Sequence, residues 1–422
     1  MTIFIRHAHI IDPRSPFHGT IQNILIKNGI IEKIGDFDAA EAETLVDHKN
    51  LHISPGWVDC FAHFCDPGLE YKETIESGIQ AAAAGGFTEV MVLPNTLPVV
   101  SGKSQVEYII QKSRHSAVTV HPLGAVTRQA EGKDLAEMYD MKSAGAVAFT
   151  DGLLPVQSAG LLLKALQYVK AFNGVIIQIP DDQSVGRYGL INEGIVSTRL
   201  GLPGKPMLAE EVQVARDIEL TRYATSALHF TGITSPSSLA AIQRAKEEGI
   251  QISCSTSPAH LFFTDEDLTT YDTNLKLFPP LRSGIEQEQL RKAVLDGGVD
   301  CIASHHLPHE FDSKVCEFEY AKPGMIALET SYGVVGAALG DALLPERWVE
   351  LVSINPRRIF GLHQPEIKEG APANVTLFDP SATYTFNESN IRSRSRNTPF
   401  TGKELRGKVI GIIHNNLFTL NN

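Results

Sequence analysis

Apolar and polar positions along this chain follow two textures. From Thr2 to Ile34 the pattern is short β-type runs, TIFIRHAHII and TIQNILIKNGIIEKIG, broken at Asp12-Pro13 and Asn28-Gly29, which are turn signals. The carboxyl end returns to that texture in NVTLFDP, ATYTFN and GKVIGIIHNN. Two β-rich ends around a different middle predict one small β domain built from residues 1–53 and 366–422.

Between Ser54 and about Phe360 each apolar run is followed by a helical pattern, as in GWVDCFAHF before YKETIESGIQAAAAGG and VIIQIPDD before AEEVQVARDIELTRYA. Strand candidates open near Val58, Val90, Val118, Val147, Val175, Leu228, Ile252 and Cys301. Eight β/α units in about 250 residues predict a closed parallel TIM (β/α)8 barrel, here over 54–365, whose strands are buried on both faces and so read as unbroken apolar runs. No GxGxxG follows a first strand and no P-loop occurs, which removes the usual reasons to prefer a doubly wound open sheet. Ser257 to Glu286 reads as an extended loop between units seven and eight, of a length that is usually functional or oligomer-forming.

Composition narrows the function classes. The 422 residues carry 37 Lys+Arg against 49 Asp+Glu, a formal charge of −12, so neither nucleic acid nor an anionic membrane is expected as the main partner. Five cysteines, Cys60, Cys65, Cys254, Cys301 and Cys316, form no CxxC pair, and a reducing compartment is expected. The amino terminus lacks a signal-peptide core and no run of about 18 apolar residues appears, so the expectation is a soluble, cytoplasmic protein.

A barrel of this kind places its chemistry at the carboxyl ends of the strands. The residues there are Phe61 and His63 after the first, Asn95 after the second, Asp151 after the fourth, Ile179 after the fifth, Gly232 after the sixth, and His305, His306 and His309 after the eighth. A binuclear metal hydrolase needs several His and carboxylate donors converging at such a place, and only some are present.

GWVDCFAHFCDPGLEYKETIESGIQAAAAGGFTEVMVLPNT, AVAFTDG, INEGIVSTRLGLPG, EEVQVARDIELT, YDTNLKLFPPLRS, DCIASHHLPH, ALET and SRNTPFTGKELRGKV resemble, in this order and across almost the whole chain, the dihydroorotases of the amidohydrolase superfamily, the type associated with aspartate transcarbamoylase. The resemblance implies a metal-dependent barrel with a flanking β-sandwich, acting on the cyclic amide of dihydroorotate in pyrimidine synthesis. Carried over residue by residue, the family's first HxH falls on Phe61-Ala62-His63, so one imidazole ligand has become an aromatic ring. The arginine that grips the substrate carboxylate falls on Cys65, and the bridging carboxylate falls on Asp151. The two further histidine ligands fall on Ile179 and Gly232, and the catalytic aspartate falls on His305. Asn95, Asn274 and His309 match substrate-contacting positions, and Arg282 of PPLR is also retained.

Three functions follow from that comparison, the third being a small-molecule binding module that senses a pyrimidine intermediate through Asn95, Asn274 and His309. The first is a catalytically impaired or inactive dihydroorotase homologue with no metal cofactor and no confident catalytic residue, acting as a structural subunit of aspartate transcarbamoylase or of its own oligomer. The second is a working cyclic-amide hydrolase, dihydroorotase-like or hydantoinase/allantoinase-like, holding a single zinc ion on His63, Asp151 and His305 with one coordination position open. Plainer roles stay open beside all three. His63 and Asp151 can be a hydrogen-bonded pair, Asn95 and Asn274 can cap loops, and His309 can be a loop histidine. Phe61 and Ile179 are expected to fill the space that a metal cluster would take.

Overall fold

The computed structural model describes residues 1–39 and 42–421. Its middle is built on parallel strands. Trp57–Ala62, Phe87–Val92 and Thr119–Pro122 pair in one sheet, and Val175–Gln178, Ala227–Phe230, Ile252–Thr256 and Cys301–Ile302 pair in another. Isolated parallel bridges link the two: Phe149 to both Gly124 and Ile176 on one side, and His306 to Ala62 on the other. Hydrogen bonding therefore passes round from the first strand to His306 and back to Ala62. The fourth expected strand, AVAFTDG, forms only those bridges. After Phe149 the chain turns away, with Gly152 at φ 64° and Asp151 drawn towards Thr127.

Helices between the strands start where side chains can satisfy their free N–H groups. Thr74, Ser158 and Ser235 accept from the first turns of Ile75–Ala84, Ala159–Lys170 and Pro236–Glu247, the last with proline at its start, where no N–H is needed. The helices bury residues such as Leu162, Val214 and Ile242 against the outward faces of the strands. The inward faces form a separate apolar cluster of Cys60, Phe61, Met91, Leu93, Leu123, Ile177, Ile179, Cys301, Leu307 and Phe360. Burial on both faces is why these strands are apolar throughout.

Both chain ends meet in one eight-stranded mixed sheet. Its order is Leu417–Leu420, Glu404–His414, Val375–Thr385, His52–Pro55, Thr2–Ile10, Ile21–Lys27 and Ile30–Gly35, with Thr44–Asp47 also beside Thr2–Ile10. By hydrogen bonding it is a single sheet, where the resemblance suggested a sandwich. The joint is antiparallel, Val375 opposite Pro55 and Leu377 opposite Ile53, so the end sheet runs past the boundary expected at residue 53. Gly56 follows at once, and a Cβ there would run into Asn374 and Thr88. The segment expected to be an extended loop, 257–286, contains the helix Pro258–Phe262 and two short helical turns. It buries Phe263, Leu268, Leu275 and Leu281 with Phe318 and Phe400. Among the described residues no helix is long and apolar enough to cross a membrane.

Candidate functional site

The carboxyl ends of the ring strands bring Phe61, Ile179 and Leu307 together in the inner apolar cluster, all 5 % exposed or less. His305 lies against this plug, its ring centroid 4.7 Å from that of Phe61 and tilted by 32°. The backbone at His305 takes a left-handed φ of 50°, and its Nε2 meets the Thr231 hydroxyl at 2.9 Å. Gly232 sits beside it at φ 74°, and a Cβ there would lie 2.9 Å from His305 Cε1. The imidazole thus occupies the room that any side chain at 232 would need.

Hydrogen bonds extend from His305 into the ring. Ser255 Oγ donates to Thr231 Oγ1 at 2.9 Å, and His229 is held between Ser253 Oγ at 2.8 Å and Ser255 Oγ at 3.0 Å. Burial holds His229 and His305 neutral, with pKa values lowered to about 4 and about 3. Sequence reasoning missed this chain of side chains. Its only trace is the polar residues inside the apolar strands ALHF and ISCST.

His63 is committed on both nitrogens. Nε2 faces the Asn95 carbonyl oxygen at 3.1 Å and must therefore carry the proton, so Nδ1 accepts from the Cys65 thiol at 2.7 Å. Burial lowers the His63 pKa to about 4 and pushes the Cys65 thiol up, so this is a neutral pair. Asp151 is committed as well: Oδ1 accepts from the Thr127 N–H at 2.9 Å and Oδ2 from the Thr127 hydroxyl at 2.5 Å. Burial raises its pKa to about 6, against the pull of those donors.

The single-zinc set proposed from sequence is not assembled. His63, Asp151 and His305 each bond to a different neighbour, and among the described residues no group of three or more His, Cys, Asp or Glu side chains is arranged to hold an ion. These residues do not fit a catalytic dication, which needs three protein donors aimed at one point. His305, which the resemblance sets at a catalytic aspartate's position, is a neutral histidine that leans on an aromatic ring.

The substrate-contact candidates are also separated. Asn95 caps the loop after Asp151, its Nδ2 donating to the Asp151 carbonyl at 3.0 Å and its Oδ1 accepting from Leu153 N at 3.3 Å. Asn274 and His309 line a different cavity of about 500 Å³, where His309 Nε2 donates to the Pro323 carbonyl at 3.0 Å. Arg282 is structural: it reaches Thr234 Oγ1 and Asn192 Oδ1 at 2.9 Å and pairs with the buried Glu210 at 3.5 Å. His306 binds backbone rather than ligand. Its Nδ1 accepts from Ala327 and Leu328 N–H, and its Nε2 faces Glu73 at 3.5 Å, both side chains fully buried. Asp59, unremarked in the sequence, takes the Ser304 N–H and hydroxyl at 2.6 and 2.9 Å, and so ties the first ring strand to the last.

Above the plug, Leu153, Phe278, Leu307 and the ion pair of Lys205 with Asp181 at 2.8 Å line a cavity of about 430 Å³. It has an apolar floor, and its charged lining is that ion pair with Arg187 as a second cation, with no nucleophile beside a base.

This architecture is shared with hydantoinases and dihydropyrimidinases of known structure. It matches L-hydantoinase (dihydropyrimidinase) from Arthrobacter aurescens with a TM-score of 0.83 at 22% identity, over 99% of this chain and 96% of that one. It matches dihydropyrimidinase from Brevibacillus agri with a TM-score of 0.83 at 21% identity, over 100% and 95%. The model of the family described as dihydro-orotase-like matches residues 51–238. A dihydroorotase of Syntrophus aciditrophicus is 40% identical over 414 residues, 97% of each chain, and one of Geotalea daltonii is 38% identical over 410 residues, 96% of each. The chain belongs to the dihydroorotase-like family.

Proposed function

We propose that this chain is a cytoplasmic dihydroorotase-family protein of pyrimidine biosynthesis whose ring lacks the metal-dependent hydrolytic centre, and that it serves as a scaffold or partner subunit. Its own copies and aspartate transcarbamoylase are the candidate partners. The single observation that supports this reading is that the retained donors are engaged apart from one another: His63 with Asn95 and Cys65, Asp151 with Thr127, and His305 through Nε2 with Thr231, which leaves only His305 Nδ1 without a partner among the described residues. Asp151, the one carboxylate among these donors, is held by Thr127 through both oxygens and does not stand free as a base, and general-base catalysis alone is worth about 10²–10⁴ in rate.

A second reading has its own support. Identity of 40% along nearly the full length of a dihydroorotase favours an active cyclic-amide hydrolase, and the comparisons support that reading better than a silent scaffold. Its substrate would be dihydroorotate or a related ring such as hydantoin or allantoin. It requires His63 and Asp151 to leave their present partners and to converge with His305, whose Nδ1 has none among the described residues.

Zinc content and dihydroorotate hydrolysis of the purified full-length chain separate the two. Zinc far below one per chain, with no turnover above a heat-treated control, is the expected result. Stoichiometric zinc with turnover, both lost in His63→Ala, establishes the hydrolase. Co-migration with aspartate transcarbamoylase in size-exclusion chromatography tests the partner.

A further inference from the structure

The segment Ile391–Asn397, IRSRSRN, alternates strictly. Ser393 and Ser395 are buried, while Arg392, Arg394 and Arg396 are exposed. Two buried carboxylates pin its backbone. Glu329 Oε1 accepts from the N–H groups of Arg392 and Ser393 at 3.1 and 2.8 Å and from the Ser393 hydroxyl at 2.8 Å. Glu73 Oε1 accepts from Arg394 N at 2.9 Å, and Ser395 Oγ donates to the Lys72 carbonyl at 2.7 Å. Fastening the small residues inward holds the guanidinium groups outward. Among the described residues none of the three arginines has an acidic partner within ion-pair distance, which is unexpected in a chain with twelve more acids than bases.

Arg394 and Arg396 line the 500 Å³ cavity, with Lys314 as a third cation and Tyr71, Phe311 and Val315 as its apolar wall. Those three apolar residues are 54, 75 and 62 % exposed, large surfaces left without cover. The one acid in the lining, Glu310, is already engaged by the Ser313 hydroxyl and lies 3.8 Å from Lys72 Nζ. Lys314 spends its donors on the carbonyls of Lys322 and Gly324 at 2.8 and 2.9 Å, so it contributes charge rather than contacts. Arg394 makes no side-chain hydrogen bond among the described residues and Arg396 makes one, from Nη1 to the Ile391 carbonyl at 3.2 Å, so most of their donors are open, and their forked geometry fits two oxygens of one anion.

We propose that this cavity binds a small organic anion, an aromatic or similarly flat apolar body carrying a phosphate or carboxylate, with the anion on Arg394 and Arg396 and the body against Phe311 and Tyr71. The volume lies in the range of small-molecule sites. Asn274 and His309, substrate-contact positions by resemblance, line the same cavity, but the residues the inference uses, Arg394, Arg396, Phe311 and Tyr71, are not among those positions.

Calorimetric titration of the full-length chain at low salt tests it, with phenyl phosphate as the probe and inorganic phosphate and phenol as controls. Saturable one-to-one binding of phenyl phosphate is expected, about tenfold tighter than inorganic phosphate because the ring is buried against aromatic side chains. Phenol should give no saturable heat. The double variant Arg394→Ala/Arg396→Ala should lose the binding at an unchanged melting temperature, and Arg392→Ala, outside the lining, should keep it. Phe311→Ala should erase the preference over inorganic phosphate. Absence of saturable heat with phenyl phosphate, or equal losses from Arg392→Ala and the double variant, overturns the proposal.

Discussion

The most informative perturbation is one methyl group at Gly232. Its φ of 74° is a conformation that costs an alanine about 1–2 kcal/mol relative to glycine. The added Cβ would also lie 2.9 Å from His305 Cε1 and 3.1 Å from Pro279 Cδ, closer than carbon atoms pack. Both neighbours are held: the imidazole by Phe61 and Thr231, and Pro279 through its carbonyl, which takes the His260 Nε2–H at 2.9 Å. Overpacking of this kind costs about 1–3 kcal/mol, so Gly232→Ala should lose roughly 2–5 kcal/mol in urea unfolding followed by tryptophan fluorescence. The two costs separate in a double-mutant cycle. In a His305→Ala background the imidazole clash disappears while the backbone cost and the Pro279 contact stay, giving a coupling that is part of the overpacking cost, at most about 3 kcal/mol. A loss below about 1 kcal/mol, or the same loss in both backgrounds, refutes the argument that His305 fills the space a side chain at 232 would need. If the coupling is found, no side chain as large as histidine fits at position 232 while His305 stays in place.

Phe61→Ala should cost about 3–5 kcal/mol by the same assay, because it empties the centre of the inner cluster; a near-neutral result would mean the plug bears no weight. Arg282→Ala should cost about 3–5 kcal/mol by leaving Glu210 charged and buried, whereas the second substitution Glu210→Gln should recover part of the loss. His229 has a folded pKa near 4 against 6.5 when unfolded, so its contribution is fully present above pH 6.5 and is lost as the pH falls towards 4. The stability gap between the native chain and His229→Gln should therefore narrow between pH 7 and pH 5, and a constant gap would contradict a neutral buried imidazole.

Much of the ring was legible before any coordinates, because strands covered on both faces must be apolar throughout. WVDCFA, FTEVMV and VIIQ show this without reference to partners. The joining of the chain ends was legible from the β texture that both ends share and the middle lacks. The absence of an imidazole at 61, 179 and 232 is likewise a property of the sequence alone, and no folding can supply the missing nitrogen. The fate of the donors that remain was not legible. His63 and Asp151 have the right chemistry for an ion, and only their distances to Cys65, Asn95 and Thr127 show that they are already satisfied. Asp59 and Ser304 lie 245 positions apart along the chain, and Arg394 and Glu73 lie 321 apart. A side chain's type states what it can bond. Which partner it meets is decided by packing between distant segments, and in this protein that packing turned candidate ligands into internal ties.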